Sequence, residues 1–256
     1  MATLAEQLWQ ARHDGTTVAR PTADGPQDDA EAYAIQRETV ALSGHPVVGF
    51  KVGSTSAEAM KHLGSGGPGA GLLMAPFVYT SPATVRVFPA HHPMVEGEFA
   101  VRLGRDLPPR KSEYSVEEAA AAIDAVAAAI EVVGSRFTGG LDGLGRVLAT
   151  ADCSANIGLA VGPWQSDWRH IDLAAHEIVM RINGEERDRG TGARTLGHPL
   201  NVVRWLANRQ SVEGRGLRAG EIVSTGTCTG VIAVAPGDEA TADLGTLGSV
   251  TIRFTA

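Results

Sequence analysis

From residue 46 onward the chain is a succession of short, apolar, often β-branched runs closed by glycine, proline or polar turns, and no other feature constrains its fold as strongly. The runs include "PVVGFKVG" (46–53), "TVRVFPA" (84–90), "MVEGEFAVRLG" (94–104), "IEVVGSRF" (130–137) and "NIGLAVGP" (156–163). They continue with "HEIVMRIN" (176–183), "EIVSTGT" (221–227), "VIAVAPGD" (231–238) and "SVTIRF" (249–254). Many hairpin-linked strands and few helices predict an α+β chain with a mixed, curled or barrel-like β core, not a doubly wound parallel sheet. A length of 256 residues suits one large domain with a small appended part. The expected division is an N-terminal helical segment, 1–45, and a β domain, 46–256.

Helical periodicity is confined to a few places. Leu4, Leu8, Ala34, Ile35 and Val40 recur at helical intervals on either side of the polar loop "RPTADGPQDDAEA" (20–32). Ser56 is placed to cap a short helix through "AEAMKHL", with Glu58 near its positive end. On that helix Glu58 and His62 stand four residues apart, as a surface pair would. Ser115 and Glu118 form a capping-box pattern at the head of "SVEEAAAAIDAVAAA" (115–129), which reads as an alanine-rich helix feeding a strand. Pro199 opens a helix "PLNVVRWLANR", with His198 serving its start. The stretch "GSGGPGAG" (64–71) contains G-x-G-x-x-G, but it follows a helix and carries Pro68. A dinucleotide fingerprint must leave a strand and open a helix, so a mobile loop or lid is expected instead.

Charge and composition exclude several classes. The formal charge of −7, with 22 scattered Lys and Arg, opposes nucleic-acid binding, which needs a clustered basic face. No apolar run approaches the roughly 20 residues that span a bilayer. The N-terminal stretch lacks a secretory pattern, and a cytoplasmic setting is expected. Cys153 and Cys228 lack metal-ligand or disulfide-framework spacing and read as core residues.

The polar residues inside the strands carry the chemistry. Glu96 and Glu98 alternate with Val95, Gly97 and Phe99, so both carboxylates project from one face, roughly 6 to 7 Å apart along the strand. Like charges at that spacing need a cation or a proton between them. Arg102 shares the face and offers the plain alternative, an edge strand with Glu98 paired to Arg102. Glu131 is a third acid at an apolar strand start. Three carboxylates with water completing the shell suit Mg²⁺ or Mn²⁺, hard cations that favour oxygen ligands.

"GFKVGSTS", "VEGEFAVRLGRDL", "IEVVGSRF", "LGHPLNVVRWLA" and "EIVSTGTCTGVIAVAPGD" occur here in the order found in a known group. The chain resembles, from about residue 1 to its last residues, the 2-keto-4-pentenoate hydratase and 4-oxalocrotonate decarboxylase group of the fumarylacetoacetate hydrolase superfamily. The resemblance implies a mixed β-roll, a Mg²⁺ or Mn²⁺ ion on Glu96, Glu98 and Glu131, and a small-molecule 2-oxo acid substrate that chelates the ion. It also implies a homo-oligomer. A polarised 2-oxo group stabilises an enolate, which serves water addition, decarboxylation and carbon–carbon cleavage alike. Hydration of a 2-hydroxy-2,4-dienoate in aromatic-compound catabolism is the first expectation and decarboxylation the second. A non-catalytic scaffold subunit is the third.

Lys51, in the apolar strand "GFKVG", is the expected proton carrier or carboxylate anchor, and Asp152 in "TADCSANIG" is a second catalytic candidate. Members of the group commonly carry Asp-Asn where this chain has Asp152-Cys153. Thr225, Gly226 and Thr227 offer hydroxyls and a backbone N–H to a substrate carboxylate, and Arg194, with Gly190 nearby, offers a guanidinium. His91 and His92 face opposite ways if extended, and neither receives a role. The resemblance further leads one to expect an acid in "GLLMAPFVY", near Pro76, and none is present.

Overall fold

A computed structural model describes residues 2–256, with the side chain of His62 outside the described residues. The turn-bounded runs form strands β1 (Val47–Gly53), β2 (Gly69–Met74), β3 (Val78–Thr80), β4 (Ala83–Arg86), β5 (Met94–Leu103) and β6 (Ile123–Val133). They continue as β7 (Asn156–Val161), β8 (Glu177–Ile182), β9 (Glu185–Thr191), β10 (Ile222–Ser224), β11 (Ile232–Ala233), β12 (Glu239–Asp243) and β13 (Ser249–Thr255). The helices are α1 (Leu4–Asp14), α2 (Asp29–Ser43), α3 (Ala57–Leu63), α4 (Val116–Ala121), α5 (Gly145–Ala151) and α6 (Pro199–Val212).

Two sheets result. The larger runs β2-β1-β10-β5-β6-β7-β3, with β11 added beside β5, and mixes parallel and antiparallel pairs. Its curl brings Leu73 of β2 into one buried cluster with Leu159 and Val161 of β7, over Ala100, Ala127 and Ala129. The end strands β2 and β3 do not pair, so the roll stays open. The smaller sheet, β4-β13-β12-β8-β9, packs on the opposite face. There Val95, Phe99 and Val101 share a core with Ile178, Met180 and Ile252. A Cβ on Gly97 would stand 3.0 Å from the Ile178 and Met180 side chains, so this spot in β5 is closed to anything larger.

The expected alanine-rich helix is corrected. Ser115 and Glu118 do form their capping box, but α4 stops at Ala121 and the chain continues as β6. Ala125, Ala127, Ala128 and Ala129 are buried in the middle of the larger sheet. A central strand covered on both faces inside a tight curl selects small side chains, and that tertiary demand overrides alanine's helical preference. The glycine-rich stretch is corrected in part, because residues 69–71 belong to β2. Gly71 is required there, since a Cβ would lie 2.3 Å from the Cys153 carbonyl oxygen.

The N-terminal helices cover one flank of the roll. Thr3 and Glu6 form a capping box on α1, α1 packs on α2, and α2 packs on α5 and β2. Gln36 ties α2 down, donating to the Thr150 carbonyl at 2.7 Å and accepting from the Leu72 N–H at 3.0 Å. His198 caps α6, its Nδ1 accepting from the Leu200 N–H at 3.1 Å, as the sequence led one to expect.

Candidate metal centre

The pairing of four strands assembles the site. In the β5–β6 register Glu96 stands directly opposite Glu131, and Glu98 is two residues along on the same face. Strand β10 lies on the other side of β5 with Ser224 opposite Ala100, and β1 lies beyond it with Lys51 opposite Ser224. All five side chains therefore rise from the inner face of the roll.

Glu98 and Glu131 are fully buried and Glu96 is half-buried. Their carboxylates offer oxygen atoms that all lie within 4.8 Å of one another. Among the described residues this is the one group of three acids, histidines or cysteines so converged. Lys51 Nζ sits 3.2 Å from Glu131 Oε2. The other Glu131 oxygen accepts from the Asn156 side-chain amide at 2.8 Å. Glu98 Oε2 accepts from the Ser224 hydroxyl and, at 2.9 Å, from the Gly226 N–H.

Glu98 Oε1 is buried without a hydrogen-bond partner. An ionised oxygen in that condition is costly unless a cation meets it. One lysine cannot neutralise three acids. Burial, followed by the charge of Glu131, pushes the Glu96 carboxyl up to about 7. Burial, then the charges of Glu131 and Glu96, raises Glu98 well above the usual carboxylate range. Burial also pulls on the Lys51 ammonium, but the combined attraction of Glu131, Glu96 and Glu98 outweighs it and the pKa is raised. The site thus crowds hard oxygen donors that resist ionising unless a positive partner meets them, and the residues present fit a hard divalent cation.

The plain alternative for Glu98 fails on geometry. Arg102 turns to Asp124, with Nε 3.0 Å from Oδ1 and Nη2 2.9 Å from Oδ2, and stacks over Trp164.

The other candidates fall into different places. Asp152 is engaged in a buried pair with Arg136, whose Nε lies 2.5 Å from Oδ1. Its second oxygen accepts from the Arg136 N–H at 2.8 Å and the Ser135 hydroxyl at 3.0 Å. With both oxygens so occupied, Asp152 is an anchor for the turn between α5 and β7. Thr225 spends its hydroxyl on the Phe99 carbonyl and Thr227 on the Thr229 carbonyl. The Gly226 N–H, expected to face a substrate, faces Glu98. Gly226 has φ +89°, and a Cβ there would meet Thr55 Oγ1 at 2.0 Å, so glycine alone brings that N–H into position. Arg194 is partly exposed, with Nη1 3.5 Å from the Cys228 carbonyl and 4.0 Å from Asp188. His91 bonds to the Thr16 carbonyl at 2.8 Å. Glu58 lies in the first turn of α3, and the side chain of its expected partner His62 lies outside the described residues.

Sequence reasoning passed over Ser224, Asn156, Thr55 and Ser154. Ser224 sits in register with Lys51, a signal visible only once the strands are paired. Thr55 Oγ1 is buried and unpartnered, whereas its neighbour Ser56 caps α3. Ser154 lies in a run of three left-handed residues, Cys153–Ala155, and its Oγ flanks Gly53 together with Lys51 Nζ.

The chain is 34% identical to 2-keto-4-pentenoate hydratase of Paraburkholderia xenovorans, over 98% of this chain and 93% of that one. It is 33% identical to 4-oxalocrotonate decarboxylase of Pseudomonas putida, over 98% and 95%. The fold superposes with a TM-score of 0.89, at 32% identity, on 4-oxalocrotonate decarboxylase from Pseudomonas putida G7 complexed with magnesium and adipate, over 98% of this chain and 95% of the other. Residues 37–255 match the family model described as fumarylacetoacetate (FAA) hydrolase C-terminal. With its open β-roll and its three converging acids, the chain belongs to the fumarylacetoacetate hydrolase family.

Proposed function

We propose that this protein is a divalent-metal-dependent lyase that adds water to a 2-hydroxy-2,4-dienoate or its 2-oxo tautomer, in the manner of a 2-keto-4-pentenoate hydratase. The observation that carries this reading is the convergence of Glu96, Glu98 and Glu131, with Glu98 Oε1 buried and unpartnered, beside the buried ammonium of Lys51. Glu96, Glu98 and Glu131 would hold the ion, Mg²⁺ or Mn²⁺. When bound it supplies Lewis acidity, drawing electron density onto the substrate's 2-oxo group.

The chain's own residues do the rest. Ser224 and the Gly226 N–H fix one oxygen of Glu98, which leaves the other free to act as a ligand. Asn156 orients Glu131 in the same way. Lys51 holds a proton at Nζ, supported by Glu131, and is placed to donate it to the carbon chain or to pair with the substrate carboxylate. Thr55 Oγ1 adds a free hydroxyl beside Gly226. The alanine and leucine lining of the roll excludes bulk water and strengthens each of these interactions.

Decarboxylation of a 2-oxo-enedioate is the second reading, favoured by the likeness to the decarboxylase complexed with magnesium and adipate. Incubating the Mg²⁺-loaded protein with 2-hydroxypenta-2,4-dienoate and, separately, with 4-oxalocrotonate decides between them. Loss of diene absorbance with one water added per product supports hydration, and CO₂ release supports decarboxylation. Turnover of neither, in the presence of Mg²⁺ or Mn²⁺, overturns the lyase reading.

A further inference from the structure

Away from the acids, α1, the segment entering β1 and the stretch around β4 line a cavity of about 300 Å³. That is at the lower end of the range for small-molecule sites, about 300 to 1,000 Å³. Its lining includes Arg12, Arg86 and Arg136 and contains no aspartate or glutamate, in a chain whose net charge is −7.

The three arginines are not equivalent. Arg136 is neutralised by Asp152. Arg12 spends its two terminal nitrogens on main-chain carbonyls, those of Asn156 at 2.7 Å and Ile157 at 2.8 Å, and its buried Nε has no hydrogen-bond partner. Burial, together with the neighbouring Arg136 charge, pushes Arg12 down to about 10. Arg86 is exposed and lies over the Phe88 ring at 4.6 Å. The Arg12 and Arg136 guanidinium groups face the single charge of Asp152, which bonds to Arg136, so positive charge is left in excess at Arg12 and an arriving carboxylate would balance it.

The remaining wall is aromatic. Arg12 lies over Phe77 at 4.2 Å, His45 bridges Trp9 and Phe77 edge-on, and Phe88 packs on His91. Planar π-faces beside unpaired guanidinium groups match a planar ring bearing a carboxylate better than they match a compact inorganic anion.

We propose that this cavity is a binding site for a small aromatic or conjugated carboxylate, its anionic end on Arg12 and Arg86 and its planar part against Phe77, Phe88 and Trp9. It is separate from the acid cluster. Asn156 stands between them, its carbonyl accepting from Arg12 and Arg136 while its side chain serves Glu131.

Isothermal titration calorimetry on the full chain, with benzoate as probe and benzamide and acetate as controls, tests the proposal. The expected result is saturable benzoate binding at one site per chain. It persists in EDTA and in the Glu98→Gln variant, and benzamide and acetate bind more weakly by roughly tenfold or more. Arg86→Gln, an exposed change that leaves the fold in place, is expected to weaken benzoate by roughly tenfold. Arg12→Gln is expected to weaken it further, with circular dichroism reporting that the chain is folded. Absence of saturable binding, equal affinity for benzamide, or loss of binding with EDTA or Glu98→Gln would each overturn the proposal.

Discussion

At the residue scale the chemistry depends on which oxygen atoms are used and which are left over. Glu98 has one oxygen fixed by Ser224 and Gly226 and one without a partner. Glu98→Gln is expected to lower turnover by roughly two orders of magnitude or more. It should leave metal-free stability equal or higher, because burial and the neighbouring acids already oppose the charge that glutamine lacks, and thermal unfolding in EDTA beside a steady-state assay checks both. Ser224→Ala keeps the ligand but frees its orientation, so Mn²⁺ affinity should fall by about 10- to 100-fold, as read by titration calorimetry. Asp152→Asn is expected to behave in the opposite way. It leaves Arg136 buried with its charge uncompensated, which costs about 3 to 5 kcal/mol, whereas the folded fraction keeps its turnover. Denaturant unfolding and kcat per folded chain separate these outcomes. The acids themselves were legible in the sequence, since a period of two puts Glu96 and Glu98 on one face without any knowledge of the fold. Ser224 and Asn156 were not, because a serine in one strand and an asparagine at the start of another acquire meaning only when pairing brings them to a carboxylate.

At the element scale, β6 separates local preference from tertiary demand. Its alanines argue for a helix by propensity, and the capping box at Ser115 begins one, yet the chain leaves the helix at Ala122 and enters the centre of a sheet. What selects a strand is the space available, for Ala127 and Ala129 face the inside of the curl where Leu73 and Leu159 already meet. Enlarging either alanine to leucine should therefore cost about 1 to 3 kcal/mol through overpacking, measured as a lower denaturation midpoint. It should also disturb the site, because Ala129 is opposite Glu98 in the β5–β6 register. The strands that were legible, β1, β4, β5, the end of β6, β7, β8, β10, β11 and β13, carry apolar, often β-branched runs closed by turns. The first part of β2 was not, since Gly69-Ala70-Gly71 lacks β-forming side chains and is a strand only because the left-handed turn at Cys153–Ala155 leaves no room for more.

At the scale of the whole molecule, the open roll gathers negative charge inside an apolar lining, and this links stability to pH and to metal. Glu96 titrates at about 7 in the folded chain and near 4.5 when unfolded. A carboxyl raised on folding contributes stability that is complete below the unfolded value and is lost as pH rises through the folded one. The metal-free protein should accordingly lose thermal stability between about pH 4.5 and just above 7. Mg²⁺ at 100 times its dissociation constant should restore about 2.7 kcal/mol, which differential scanning calorimetry with and without EDTA would read. The most direct test of the central claim is anomalous diffraction from crystals soaked in Mn²⁺. One manganese peak is expected within bonding distance of oxygens from Glu96, Glu98 and Glu131 together. A peak elsewhere, or no peak with the three carboxylates turned apart, would contradict it.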